Sequence, residues 1–160
     1  MAKTIRLQLS DESIKHGIRE LRLYKQWVEA KETELRMRLA QLGATVASIQ
    51  FSRAIYNGSK DVTVRVDATG SVAVIYAEGE SVAFIEFGSG IKYGYGHPQA
   101  GEHGVGPGTY PGKGHWDNPK GWWYGHGKHS YGNPPAMAMY DAVQTMTEEI
   151  TRIAREVFRS

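Results

Sequence analysis

Val62-Thr63-Val64-Arg65-Val66-Asp67-Ala68-Thr69-Gly70-Ser71-Val72-Ala73-Val74-Ile75-Tyr76 is where the hydrophobic period of this chain changes from helical to alternating. Val62, Val64 and Val66 share one face of an extended strand, Thr69 and Gly70 supply a turn, and Val72, Val74 and Tyr76 alternate again beyond it. This pattern predicts a two-stranded hairpin. An isolated hairpin is marginal in water, so its apolar face must pack on a helix or its edge must be completed by another strand or subunit. The next stretch, Ser81 to Phe87, is short and apolar, and its period fits a third strand or a short helix equally.

Upstream of the hairpin the pattern is helical from Ser10 to about Tyr56. Ile14, Ile18, Leu21, Val28, Leu35, Leu39, Leu42 and Val46 recur at spacings of three, four and seven and form one stripe opposite a charged face. Ser10 followed by Asp11 and Glu12 is a start signal, because the serine oxygen accepts an orphan N–H and the acids suit the positive end of the dipole. Glu32 with Arg36 and Glu34 with Arg38 have the favourable orientation of helical ion pairs. Gly43 is a candidate interruption, which predicts one long helix or two, ended by Asn57-Gly58. Downstream, Pro134-Pro135 suits the first turn of a second amphipathic helix, whose stripe is Met139, Val143, Met146, Ile150, Ile153 and Val157. Arg152, Arg155 and Arg159 read as its solvated face.

The whole chain, 160 residues with 41% hydrophobic and 22% charged, is a single globular domain by size and composition. The expected organisation is helical over 11–56, a hairpin region over 62–87, an insert over 88–134 and a helix over 135–159. The fold class that follows is α+β, with the N-terminal and C-terminal helices packed on a small antiparallel sheet. No apolar run approaches a membrane span, and the first residues have no leader pattern, so the expectation is a protein made in the cytoplasm. Zero cysteines exclude disulfides, a thiol nucleophile and thiolate metal sites. Nineteen basic against seventeen acidic side chains are too balanced for a dedicated nucleic-acid binder.

Fourteen of the nineteen glycines, five of the six prolines and five of the six histidines fall between Gly88 and Pro134. The same segment carries Tyr93, Tyr95, Tyr110, Trp116, Trp122, Trp123, Tyr124 and Tyr131, more aromatic surface than a solvated linker keeps. Two coverings compete: the segment folds back on its own domain, or neighbouring subunits order it. A metal reading needs His97, His103, His115, His126 and His129, with Glu102 or Asp117, yet none of their spacings matches a ligand template. A compact histidine-metal nuclease needs a hairpin that delivers a histidine, and the hairpin at 62–76 has none. Gly88-Ser89-Gly90 is too short for a nucleophile elbow, and no complete Gly-x-Gly-x-x-Gly turn is present. The expectation is a protein that is not an enzyme and needs no cofactor or metal.

Phe84-Ile85-Glu86-Phe87-Gly88-Ser89-Gly90, then Gly121-Trp122-Trp123-Tyr124, then His129-Ser130-Tyr131-Gly132-Asn133-Pro134-Pro135-Ala136-Met137-Ala138-Met139-Tyr140 follow one another in order. In this conjunction the chain resembles the phage neck and minor tail family, the head-to-tail joining and tail-completion proteins of long-tailed bacteriophages. There an apolar pair, Glu-Phe-Gly, Thr or Ser and Gly close the hairpin region, which maps onto Glu86, Phe87, Gly88, Ser89 and Gly90. A later Gly-x-Pro-x-x-x-Met-Tyr element maps onto Gly132, Pro134, Pro135, Met139 and Tyr140, with one residue more between Gly132 and Met139 than that spacing has. Ser89 stands where threonine is commoner, and the insert is longer and richer in histidine.

The resemblance implies a structural virion protein of the head-to-tail junction or tail, assembled in the host cytoplasm as a homo-oligomeric ring or in several copies. Its partners would be portal or adaptor proteins and the tail terminator or tail-tube protein. DNA would pass nearby without sequence-specific contact, and no membrane is involved. A tail terminator or another minor tail component is the alternative, and a metal-dependent enzyme using the histidines is the remote one. The expected mechanism is assembly by loop ordering, with Trp116, Trp122, Trp123 and Tyr124 entering neighbouring surfaces. Glu86 has two readings, a cap or bridge inside the turn after the hairpin, or a partner for a basic residue of the adjacent subunit.

Overall fold

The computed structural model describes residues 4–6, 8, 10–93, 96–105, 118–124 and 127–159, at 124 the backbone alone. In chain order the elements are α1 (Asp11–Arg53), β1 (Thr63–Asp67), β2 (Val74–Glu78), α2 (Val82–Phe87), β3 (Trp122–Tyr124), β4 (Lys128–Ser130) and α3 (Ala138–Arg159). The fold is α+β, a long N-terminal helix and a C-terminal helix with small antiparallel two-stranded sheets. Among the described residues no helix is long and apolar enough to cross a membrane.

α1 is one uninterrupted helix of 43 residues. Ser10 caps it, its side chain accepting from the Ser13 N–H at 3.3 Å. Gly43 does not break it. A Cβ there would stand 2.6 Å from Ile75 Cδ1 and 2.7 Å from Met146 Sδ, so the glycine is the point where β2 and α3 both close on α1. The buried face is accordingly built of small residues, Ala40, Gly43, Ala44 and Ala47, ending in Phe51. The expected stripe is displaced from this face: Leu35, Leu39, Leu42 and Val46 flank it half-buried, and Ile14, Ile18 and Leu21 are exposed. The last three are exposed because α1 outruns its partner. α3 is antiparallel to α1, with Gln50 Nε2 donating to Asp141 Oδ2 at 2.6 Å near one end and Trp27 meeting Phe158 edge to face at 5.9 Å near the other. Asp11 to Gln26 therefore project past the end of α3, by about 24 Å at 1.5 Å per residue.

β1 and β2 pair antiparallel, with Val64 opposite Ala77 and Val66 opposite Ile75. Val62, Val64, Ile75 and Ala77 turn towards α1, which puts Val74 and Tyr76 on the exposed face together with Arg65 and Glu78. The expected inward set of the second strand, Val72, Val74 and Tyr76, is thus one residue out of step. The connection of residues 68–73 is longer than a tight turn, and a shift of one residue exchanges the faces of a strand.

Ser81 to Phe87, undecided by period, contains the short helix α2. Asp61 sets its start: its carboxylate accepts from the Glu80 N–H at 2.7 Å, the Ser81 N–H at 3.2 Å and the Ser81 hydroxyl. Ile85 of α2 enters the core with Ala47, Phe51, Ala138 and Ala142. α3 begins at Ala138 and not at Pro135. The N–H groups of Ala136 and Met137 donate to the Ile85 and Glu86 carbonyls at 2.8 and 3.2 Å, which holds 134–137 as a non-helical lead-in.

Candidate assembly site

α2 and the lead-in to α3 lie side by side although more than forty residues separate them in sequence. Ser89 and Asn133 form an isolated antiparallel bridge, with N–H to carbonyl distances of 3.0 and 3.1 Å in the two directions. The Ser89 hydroxyl donates to Asn133 Oδ1. Asn133 Nδ2 donates to the carbonyls of Phe84 at 2.8 Å and Pro134 at 3.2 Å. Side chains are excluded where the strands cross. Gly132, at φ 102°, passes so close that a Cβ would stand 1.9 Å from the Ser89 carbonyl oxygen, and at Gly90, φ 84°, it would stand 2.4 Å from that of Tyr131. Only glycine meets both the positive φ and this approach. The result is a clasp that closes both ends of the insert on each other.

Glu86 ties this clasp to the C-terminal helix. Its carboxylate accepts from the Met139 N–H at 3.0 and 3.1 Å and from the Tyr140 N–H at 3.1 Å. Those are orphan donors of the first turn of α3, where the helix dipole also favours a negative charge. With 4% of its surface exposed, Glu86 is an internal cap and does not offer its charge to an adjacent subunit.

His97 completes the cap. Its Nδ1 accepts from the Gln99 N–H at 3.1 Å, which places the ring proton on Nε2, and Nε2 faces Glu86 Oε1 at 3.3 Å. The ring is buried, edge-on to Phe87 at 4.5 Å and to Tyr140 at 5.6 Å, while His103 lies 5.5 Å from Phe87 in a tilted arrangement. This part of the insert folds back on its own domain, with His97 and Ala100 both buried.

Farther along the insert, β3 and β4 form a second hairpin in the register Trp122 with Ser130, Trp123 with His129 and Tyr124 with Lys128. Sequence reading places no hairpin here and no hairpin with a histidine anywhere; His129 corrects both points. The pattern was hidden because three-residue strands flanked by glycines leave no alternation to detect. Gly121 at φ 72° makes the close approach, where a Cβ would stand 2.2 Å from the Ser130 carbonyl oxygen. The two tryptophans then separate: Trp122 is half-buried, whereas Trp123 is 72% exposed. His129 is edge-on to Trp123 at 4.8 Å and to Tyr131 at 4.6 Å, giving an outward aromatic face of three rings.

The motif positions Glu86, Phe87, Gly88, Ser89, Gly90, Gly132, Pro134, Pro135, Met139 and Tyr140 therefore meet in one place, as the clasp and cap. Trp122 and Trp123 lie on the second hairpin, with Tyr124 in its backbone. Trp116 lies outside the described residues, as do His115, His126, Asp117, Tyr95 and Tyr110. Sequence reading passed over Asn133 and the role of His97. The matched pair Gly-Ser-Gly and Gly-Asn-Pro at the two ends of the insert was the available signal for the first; nothing local marks the second. Among the described residues no three of His, Asp and Glu gather as a metal site. No family model, no curated protein and no solved structure matches the chain.

Proposed function

We propose that this chain is a structural protein of the bacteriophage virion, at the head-to-tail junction or in the tail, that acts by assembling and not by catalysis. The observation that carries the assembly reading is the aromatic face of Trp123, His129 and Tyr131. A tryptophan left 72% exposed, in line with the His129 and Tyr131 rings, has the character of an interface anchor. The phage assignment rests on the resemblance at Glu86 to Gly90 and Gly132 to Tyr140. In this reading the clasp presents the insert to neighbouring copies, to portal or adaptor proteins and to the terminator or tail-tube protein. Assembly orders whatever part of the insert the domain itself does not hold, an entropic cost that aromatic burial offsets.

The test is electron microscopy of particles made when the gene alone carries an early stop codon. Filled heads and finished tails accumulating separately is the expected result. Tails that are absent or irregular in length would move the role to tail assembly or termination. Normal infectious particles would refute the morphogenetic reading.

A further inference from the structure

The β1–β2 sheet ends in an open groove. β1 covers one edge of β2, and along the other edge runs a groove of about 360 Å³ between β2 and α3. Leu39 and Ala40 of α1 form its floor, Ala73 and Ile75 one wall, Val143 and Met146 the other. Among the described residues, no backbone hydrogen bond reaches β2 from any element but β1. An apolar trough beside an unpaired strand edge is the geometry that accepts an added strand, main-chain groups pairing with the edge and alternate side chains entering the trough.

The chain carries the sequence pattern of such a strand in Thr4-Ile5-Arg6-Leu7-Gln8-Leu9, a strict polar and apolar alternation. Of its described positions Thr4, Arg6 and Gln8 are exposed and Ile5 is half-buried, and none of them is in a strand. This segment cannot reach its own groove. Asp11 to Arg36, the near end of the groove, spans about 37 Å of continuous helix, whereas seven extended residues, 4 to 10, cover at most about 25 Å.

We propose that residues 4–9 of one copy add as a third strand to β2 of a second copy, with Ile5, Leu7 and Leu9 in the groove and Thr4, Arg6 and Gln8 on the side of Val74 and Tyr76. α1 is then an arm that delivers its N-terminal strand to a neighbour. The proposal shares with the assembly reading only the need for a second copy, since it uses neither the insert nor its aromatic face.

The absence of native cysteine allows a direct test. Full-length chains carrying T4C, R6C or Q8C are mixed with a chain of different mass carrying V74C or Y76C and oxidised. A disulfide between chains of unlike mass is expected for at least one pairing. None is expected with R65C on β1 in place of the β2 cysteine. In parallel, sedimentation compares the unmodified chain with the Ile5→Asp, Leu7→Asp double variant, expected to self-associate about ten-fold more weakly or worse at an unchanged melting temperature. A chain monomeric at every concentration, a variant that associates normally, or crosslinks confined to β1 would each overturn the proposal. If the variant associates normally but Trp123→Ala does not, the arm is refuted while assembly through the insert stands.

Discussion

Glu86 and Met139 are 53 residues apart in sequence, yet both carboxylate oxygens of Glu86 accept from the Met139 N–H, at 3.0 and 3.1 Å. A side chain from α2 thus starts α3, in place of the serine or aspartate that usually precedes a helix. The chain between them, whatever its own order, departs from and returns to this point. Removing the cap leaves buried donors unpaired. Glu86→Ala is expected to cost about 2–3 kcal/mol in urea unfolding, and Glu86→Gln, which keeps an acceptor, about half as much. A loss below about 0.5 kcal/mol for the alanine variant would show that water replaces the carboxylate.

The clasp predicts a contrast between two glycines of positive φ. Gly132 has φ 102° and a carbonyl oxygen 1.9 Å from the place of a Cβ; Gly104 has φ 63° and nothing within 4 Å. Gly104→Ala pays only for the left-handed conformation, about 1 kcal/mol, whereas Gly132→Ala forces the Ser89–Asn133 bridge apart and is expected to cost at least about 3 kcal/mol. Thermal unfolding of the two variants side by side measures the difference.

Gly43 predicts a dependence on size. Alanine gains helix propensity of about 1 kcal/mol and displaces only the ends of the Ile75 and Met146 side chains, so Gly43→Ala is expected within about 1 kcal/mol of neutral. Gly43→Leu has no space between α1, β2 and α3 and should lose about 1–3 kcal/mol by overpacking.

Asp61 gives a pH dependence. Hydrogen bonds from the Ser81 hydroxyl and the Glu80 N–H hold its carboxyl below the ordinary aspartate value of 3.8. Because the folded state binds this proton less readily than the unfolded state, the contribution is complete above about pH 4 and is lost as the pH falls through the lower folded value. Asp61→Asn should be less stable than the natural chain at neutral pH, and the gap should narrow below pH 4. Unfolding midpoints at a series of pH values check this, and a gap that does not change with pH would refute it.

Trp122 and Trp123 predict opposite outcomes for adjacent residues. Trp123→Ala should leave the melting temperature unchanged and abolish assembly into particles, because its ring is exposed. Trp122→Ala should lower stability by about 1–2 kcal/mol, because this residue is half-buried. Equal melting temperatures for the two variants would remove the distinction.

The sequence by itself determined the elements whose signal is local and periodic. The helical pattern after Ser10, the alternation from Val62 and the stripe after Met139 place α1, the first hairpin and α3 to within a few residues, and with them the α+β class. Period and turn chemistry are properties of neighbouring residues, so they can be read without knowing the partner.

Only the tertiary structure decided which faces are buried and what the glycines are for. The inner face of α1 is Ala40, Gly43, Ala44 and Ala47 because two elements approach it closely, and close approach selects small residues over the larger apolar ones that dominate a hydrophobic pattern. Ile14, Ile18 and Leu21 carry that pattern into a region where α3 has already ended. The inward set of β2 depended on a register established by a six-residue connection. The clasp, the cap by Glu86 and the burial of His97 join groups from the two ends of a long insert, and contacts of that separation leave no period along the chain. Their trace is compositional, glycine where backbones cross and asparagine where a carbonyl needs a donor, and the fold alone determines which backbones cross.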